Sequence, residues 1–432
     1  MYRKTFSARA IAPFAVAMLT LVSPINRVSA EEHSVARHHG VSVQHSLTPL
    51  LAANPAMVSP LVWSVVSVPI HPVKGTDGRV HLVYEVNVRN DSRYLLDLTT
   101  IDTLDAVTGQ PTGRNQAISS DGQDLIGKLR PFALAKPTQS SGDFSKQLGP
   151  GQGGVVYFDL SYDAASEVPQ CLKHRVTVTF QQTDGTQQDY TTEDECTQVS
   201  RENALEIQAP LEGDGWLNAN GSGPILSPHR YSTQATNGAL RSPEHFAIDF
   251  VKLNHEGKLH SGDQSDNASY FGYGLNVRSA TRGRVVDMLD GMSNQIPGHL
   301  VPPPAISQFA GNYVIVEISP RHYALYAHLA PGSVKVKRGD SVGVGQVLGQ
   351  LGNSGNSDAP HLHFQIMDSA SAFNTHGLPF VFKRMGYQGH LKGALAPAID
   401  SLFQGTGADI EANEANQRTL QMPLTLDIVQ FK

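Results

Sequence analysis

Two histidines separated by one residue carry the clearest chemical signal in this chain. In Pro360-His361-Leu362-His363-Phe364-Gln365-Ile366, polar and apolar residues alternate as in a half-buried strand. Residues two apart on a strand point to the same face ~7 Å apart. Both imidazoles therefore enter one site while Leu362 and Phe364 turn to a core. A second segment, Glu244-His245-Phe246-Ala247-Ile248-Asp249-Phe250, sets an imidazole and a carboxylate four positions apart. Both groups are good zinc ligands, and a catalytic zinc takes three protein ligands and keeps one position open. On a straight strand His245 and Asp249 would stand ~13 Å apart, so the chain must bend near His245 for both to reach one ion. In Tyr323-Ala324-Leu325-Tyr326-Ala327-His328-Leu329, His328 shares a face with Tyr326 and Ala324. Imidazole serves as metal ligand or as proton carrier near neutral pH, but a His-x-x-x-Asp spacing is common by chance and a single His328 more often satisfies a core or an edge.

The elements that must hold these residues are short strands. Gly 39 and Pro 26 supply many turns. Leu82, Tyr84, Val86 and Val88 alternate with Val83, Glu85, Asn87 and Arg89 before the turn signal Asn90-Asp91-Ser92. Val156, Phe158 and Leu160 repeat that period, as do Val176, Val178 and Phe180. Alternating strands with turns between them predict an antiparallel, immunoglobulin-like β-sandwich over residues 62–200. Titratable groups do not cluster in its sequence, which favours a structural or binding module. The Gly-rich stretch 201–228 reads as a linker, and 229–395 as a second β-rich domain holding all three segments. Pro302-Pro303-Pro304 within it must be loop. Residues 396–432 form a tail in which Leu424, Leu426 and Ile428 suggest a final strand. The expected fold class is mainly β throughout.

Composition narrows the partners. With 40% hydrophobic and 17% charged residues, the 432-residue chain can fill sizeable cores. A formal charge of -6 offers no basic excess for a phosphate backbone, so nucleic acid is not an expected partner. Arg3, Lys4 and Arg9 precede an apolar run from Ala10 to Val22, and Val28-Ser29-Ala30 has the small residues of a signal-peptidase site. Residues 1–30 read as an export signal and 31–61 as a polar lead-in. No later segment is apolar enough to span a membrane, so the expected location is periplasmic or extracellular. In such an oxidising compartment the lone pair Cys171 and Cys196 reads as a disulfide.

The order and spacing of Asn312-Tyr313, Tyr326-Ala-His328-Leu329, Gly339-Asp340, Gly345-Gln346, Gly352-Asn-Ser-Gly355 and Pro360-His361-Leu-His363-Phe364 resemble the lysostaphin-type (LytM-like) zinc metallopeptidases. The likeness spans about residues 240–370. It implies a mostly antiparallel β domain with a groove, one Zn2+ per chain, and endopeptidase action on the stem or cross-link peptides of bacterial peptidoglycan. By position it implies His245, Asp249 and His363 as the metal ligands, with His361 and His328 as the non-ligand histidines flanking a metal-activated water. Two departures stand out. The family usually carries Gly where this chain has Ala247, a change at the bend that would bring His245 to the metal. Residues 250–273 and 290–311 are longer than the family's usual connections and would line or cover the groove.

With no His-Glu-x-x-His helix in sight, proton transfer falls to His361 and His328. The alternative is a non-catalytic wall-binding protein or an activator of a separate murein hydrolase, but such relatives usually lose ligands that this chain keeps. The Gly339-to-Gln346 rhythm also occurs in lipoyl and biotinyl carrier domains. Export and the lack of a lysine at a hairpin tip argue against that reading.

Overall fold

A computed structural model describes residues 58–115, 130–131, 147–182, 184–224 and 227–432. The expected export signal and nearly all of the lead-in lie outside the described residues. By their contacts, the described residues from Ser59 onwards belong to one compact unit.

The N-terminal part holds two sheets. One is ordered around the strand pair Val80–Asn90 and Gly153–Tyr162, the other around Leu96–Asp105 and Cys171–Gln181. Leu82, Tyr84, Val86, Leu98, Ile101, Phe158, Val176 and Val178 from both sheets share one hydrophobic cluster. Burying a large apolar side chain stabilises by about 1.5–3 kcal/mol, so this shared core is what joins the two layers. Cys171 and Cys196 are bonded, with Cα atoms 5.4 Å apart.

Contrary to the expectation from sequence, titratable groups do cluster in this part. His174 lies between Asp194 (2.7 Å) and the Tyr84 hydroxyl (2.9 Å). His81, fully buried, sits 2.8 Å from the buried Asp159 and 3.1 Å from Asp77. Burial by itself would lower the His81 pKa, but Asp159 and then Asp77 outweigh it and push it up to about 10. A proton held more tightly in the fold than in the unfolded chain stabilises fully below the ordinary value of 6.5. That stabilisation is lost as pH rises towards about 10. The unfolding midpoint should therefore drop over this window in the parent chain and drop much less in His81→Gln. Parallel pH curves for the two proteins would show that His81 carries no charge in the fold.

Apart from three two-stranded ladders, the remaining described strands form an 11-stranded sheet. Its middle runs His322–Leu329, Leu362–Met367, Ile248–Lys252, Gly213–Asn220, Asp427–Phe431 and Met385–Leu391, all antiparallel. One sequence expectation is corrected here, and the expected final strand is located. The stretch read as a linker supplies Leu205–Ile207, paired with Phe380–Phe382, and the interior strand Gly213–Asn220. Trp216 and Leu217 on that strand are fully buried, which Gly-rich composition concealed. The tail contributes a helix, Leu395–Phe403, and two strands, of which Asp427–Phe431 is central rather than peripheral.

Candidate metal centre

Strand register builds the site. Asp249 is paired directly with His363, and His363 with Ala327 on the strand that ends in His328 and Leu329. Directly opposed residues share a face. Ile248, Leu362, Phe364 and Tyr326 turn to the other face and are fully buried in the core. One row of the sheet thus brings an aspartate and a histidine together from segments more than a hundred residues apart in the chain.

Asp249 is the hub. Its Oδ1 lies 2.9 Å from His363 Nδ1 and 3.4 Å from His361 Nε2. Its Oδ2 lies 3.2 Å from His229 Nε2 and accepts a hydrogen bond from Asn220 Nδ2 at 2.9 Å. Burial alone would raise the Asp249 pKa, yet the imidazoles of His229 and His361 hold it well below the usual carboxylate range.

His229 was not anticipated as a site residue. It comes from a turn at 227–230 whose backbone closes from Arg230 N to Ser227 O. Asn220 Oδ1 accepts from the His229 backbone N–H, so one asparagine orients both His229 and Asp249. A ligand recruited from a turn has no periodic relation to its partners, and no local pattern could reveal it.

His245 goes elsewhere. The segment turns at Glu244, where Ala247 N–H donates to Glu244 O, and Phe246 and Ile248 enter the core. The His245 ring stacks on Phe246, with Nδ1 3.0 Å from Glu85 Oε2. The structure therefore brings together Asp249, His361, His363 and His328, but not His245. Glu244 points into the site instead: single donor atoms of His229, Glu244 and His363 lie within 4.8 Å of one another.

The hydrogen-bond partners fix which nitrogens are free. His229 Nδ1 faces Ala247 O at 3.2 Å, so a proton there leaves the Nε2 lone pair, beside Asp249, to a metal ion. His363 Nε2 lies 2.7 Å from Gln365 Oε1, and an N–H donated there leaves Nδ1, 2.9 Å from Asp249 Oδ1, as the atom a metal would take. Tetrahedral zinc with bonds of ~2.0–2.2 Å places its ligand atoms ~3.3 Å apart. The two contacts to Asp249, at 2.9 and 3.2 Å, come close to that spacing, and the N, N, O donor set suits zinc.

His328 and His361 make a different pattern. Each aims Nδ1 at a backbone carbonyl, Ser354 O and Ala359 O respectively, at 2.8 Å. Their rings stand 4.7 Å apart. Burial, then the neighbouring imidazoles of His361 and His363, hold His328 well below its ordinary value, so it is neutral. His328 also has φ 63, a left-handed conformation that a non-glycine residue adopts at a cost of ~1–3 kcal/mol. The 290–311 stretch enforces it: His328 N–H donates to Ala310 O, and Gln295 binds Gly355 O in the loop before His361. Phe309 and Ala310 from that stretch, with Phe373 and Ala372, wall a cavity beside His363. In the 250–273 stretch, Leu259 and Tyr270 share a hydrophobic cluster with Ala398 and Leu402 of the helix Leu395–Phe403.

Part of the chain resembles known proteins. Residues 271–375 match peptidase family M23. Glycyl-glycine endopeptidase ALE-1 of Staphylococcus capitis is 34% identical over 40% of this chain and 36% of its own length. Lysostaphin of Staphylococcus simulans is 27% identical over 42% of this chain and 28% of its own. Peptidoglycan DD-endopeptidase ShyA of Vibrio cholerae is 37% identical over 14% and 13%. The chain thus spans well under two thirds of the length of these relatives. The polypeptide carries a peptidase family M23 domain, homologous to those of lysostaphin and the ALE-1 endopeptidase.

Proposed function

We propose that this protein is an exported zinc-dependent endopeptidase that hydrolyses peptide bonds in bacterial peptidoglycan. The observation that carries the reading is the convergence of His229 Nε2 and His363 Nδ1 on the Asp249 carboxylate, with two further imidazoles alongside that make no use of their Nε2 lone pairs in holding the backbone. His229, Asp249 and His363 are the proposed ligands, in place of the set containing His245. Zinc bound there would polarise the scissile carbonyl and supply a nucleophile near neutral pH. Asn220 orients the Asp249 carboxylate, and Gln365 fixes the His363 tautomer. His328 and His361, held by Ser354 O and Ala359 O, present Nε2 to the reacting groups. One takes a proton from the nucleophile, and the other donates to the developing oxyanion or to the leaving amine. Export rests on the basic and apolar N-terminal segment and on the Cys171–Cys196 bond.

The test is digestion of purified peptidoglycan by the full chain, with mass spectrometry of the released muropeptides. New amine and carboxyl termini within stem or cross-link peptides are expected, abolished by a zinc chelator and restored by added zinc. Binding to the wall without any cleavage would instead support the non-catalytic alternative.

A further inference from the structure

We infer that Glu85 and Arg230 are positioning residues of the metal centre, so that the N-terminal sandwich determines where a metal ligand stands. The inference rests on His229 being a ligand, as proposed above.

The strand Val80–Asn90 is buried on both faces. Leu82, Tyr84, Val86 and Val88 fill the sandwich core, while Val83 belongs to the same cluster as Phe246, Ile248 and Phe364 of the large sheet. The face that alternation would leave to water is therefore covered. It carries Glu85 and, directly across from Val83 on Gly153–Tyr162, Asp159; both carboxylates are fully buried. Arg230, also fully buried, enters this face. Its Nη2 lies 3.5 Å from Glu85 Oε1 and donates to Phe158 O at 3.3 Å. A guanidinium taken out of water needs a paired anion, so Glu85 determines where Arg230 can rest.

Arg230 directly follows His229 in the 227–230 turn. Pinning one side chain of a tight turn fixes the peptide from which its neighbour departs, here the imidazole that reaches Asp249 at 3.2 Å. The same Glu85 carboxylate meets His245 Nδ1 at 3.0 Å and keeps that ring turned away from Asp249. One residue of the sandwich thus selects which of two histidines faces the metal.

The experiment measures zinc affinity by chelator competition and the visible absorption of the Co(II)-loaded full chain. It compares the parent, Glu85→Gln, the double variant E85L/R230M and His229→Ala. Glu85→Gln keeps the side-chain shape. E85L/R230M removes both buried charges, a replacement that folded proteins often tolerate. Both should unfold cooperatively, bind zinc ~10–100-fold more weakly, and show a shifted Co(II) spectrum, as expected when the support of a ligand is lost. Parental affinity and an unchanged spectrum in either folded variant would overturn the inference. Unchanged affinity in His229→Ala would remove the ligand reading and this inference with it, an outcome recognisable because it arises in the ligand variant itself.

Discussion

His229→Ala should strip the chain of zinc and of activity, whereas His245→Gln should leave both close to the parent. The family spacing assigns these roles the other way round, so the pair of variants decides between sequence position and geometry. His229 Nε2 faces Asp249, and its Nδ1 is committed to Ala247 O. Losing that imidazole removes a proposed direct ligand, so the loss of affinity should exceed the ~10–100-fold typical of outer-shell partners. His245 is buried against Glu85, and Gln at that position can still donate to the carboxylate, which avoids leaving an unpaired buried charge. Zinc content by elemental analysis and hydrolysis of a wall-peptide substrate are the two measurements. If His245→Gln loses zinc while His229→Ala keeps it, the His245 ring leaves Glu85 for the metal and the assignment here is reversed.

Replacing His328 or His361 with Ala should have a different signature: zinc retained, turnover lowered by roughly 10²–10⁴, the usual scale of general acid–base assistance. Each ring holds a backbone carbonyl through Nδ1, and of the two only His361 touches the N, N, O donor set, at 3.4 Å from Asp249 Oδ1. Loss of zinc in His361→Ala would make that residue a ligand through its 3.4 Å contact with Asp249. Unchanged turnover in both variants would exclude the two histidines from the proton transfers.

The legible part of the site was the part written on strands. Period two alone put His361 and His363 on one face, and Asp249 proved to be the strand residue that pairs with His363. His229 was illegible because a turn twenty residues before Asp249 bears no fixed spacing to it. Glu85 was hidden for the opposite reason. It obeys the alternation perfectly well, but its polar position predicts solvent, and only the packing of the large sheet over Val83 takes it out of water. In the same way Asn218 and Asn220 disguised a central strand as a linker: a bulge between them lets Asn218 bond to Pro423 O while Asn220 serves the site.

The place of Asp427–Phe431 has a consequence for the order in which the molecule is made. This strand lies between Gly213–Asn220 and Met385–Leu391, so Trp216 and Leu217 wait for partners, Val429 and Ile428, more than two hundred residues further along the chain. Pairings so distant along the chain form slowly, since a long loop must close before any contact rewards it. Asn220, at the end of that same strand, is the clamp on Asp249 and His229. The proposed centre therefore stays unassembled until this distant strand docks, and a chain caught before that step lacks the clamp on its donor atoms.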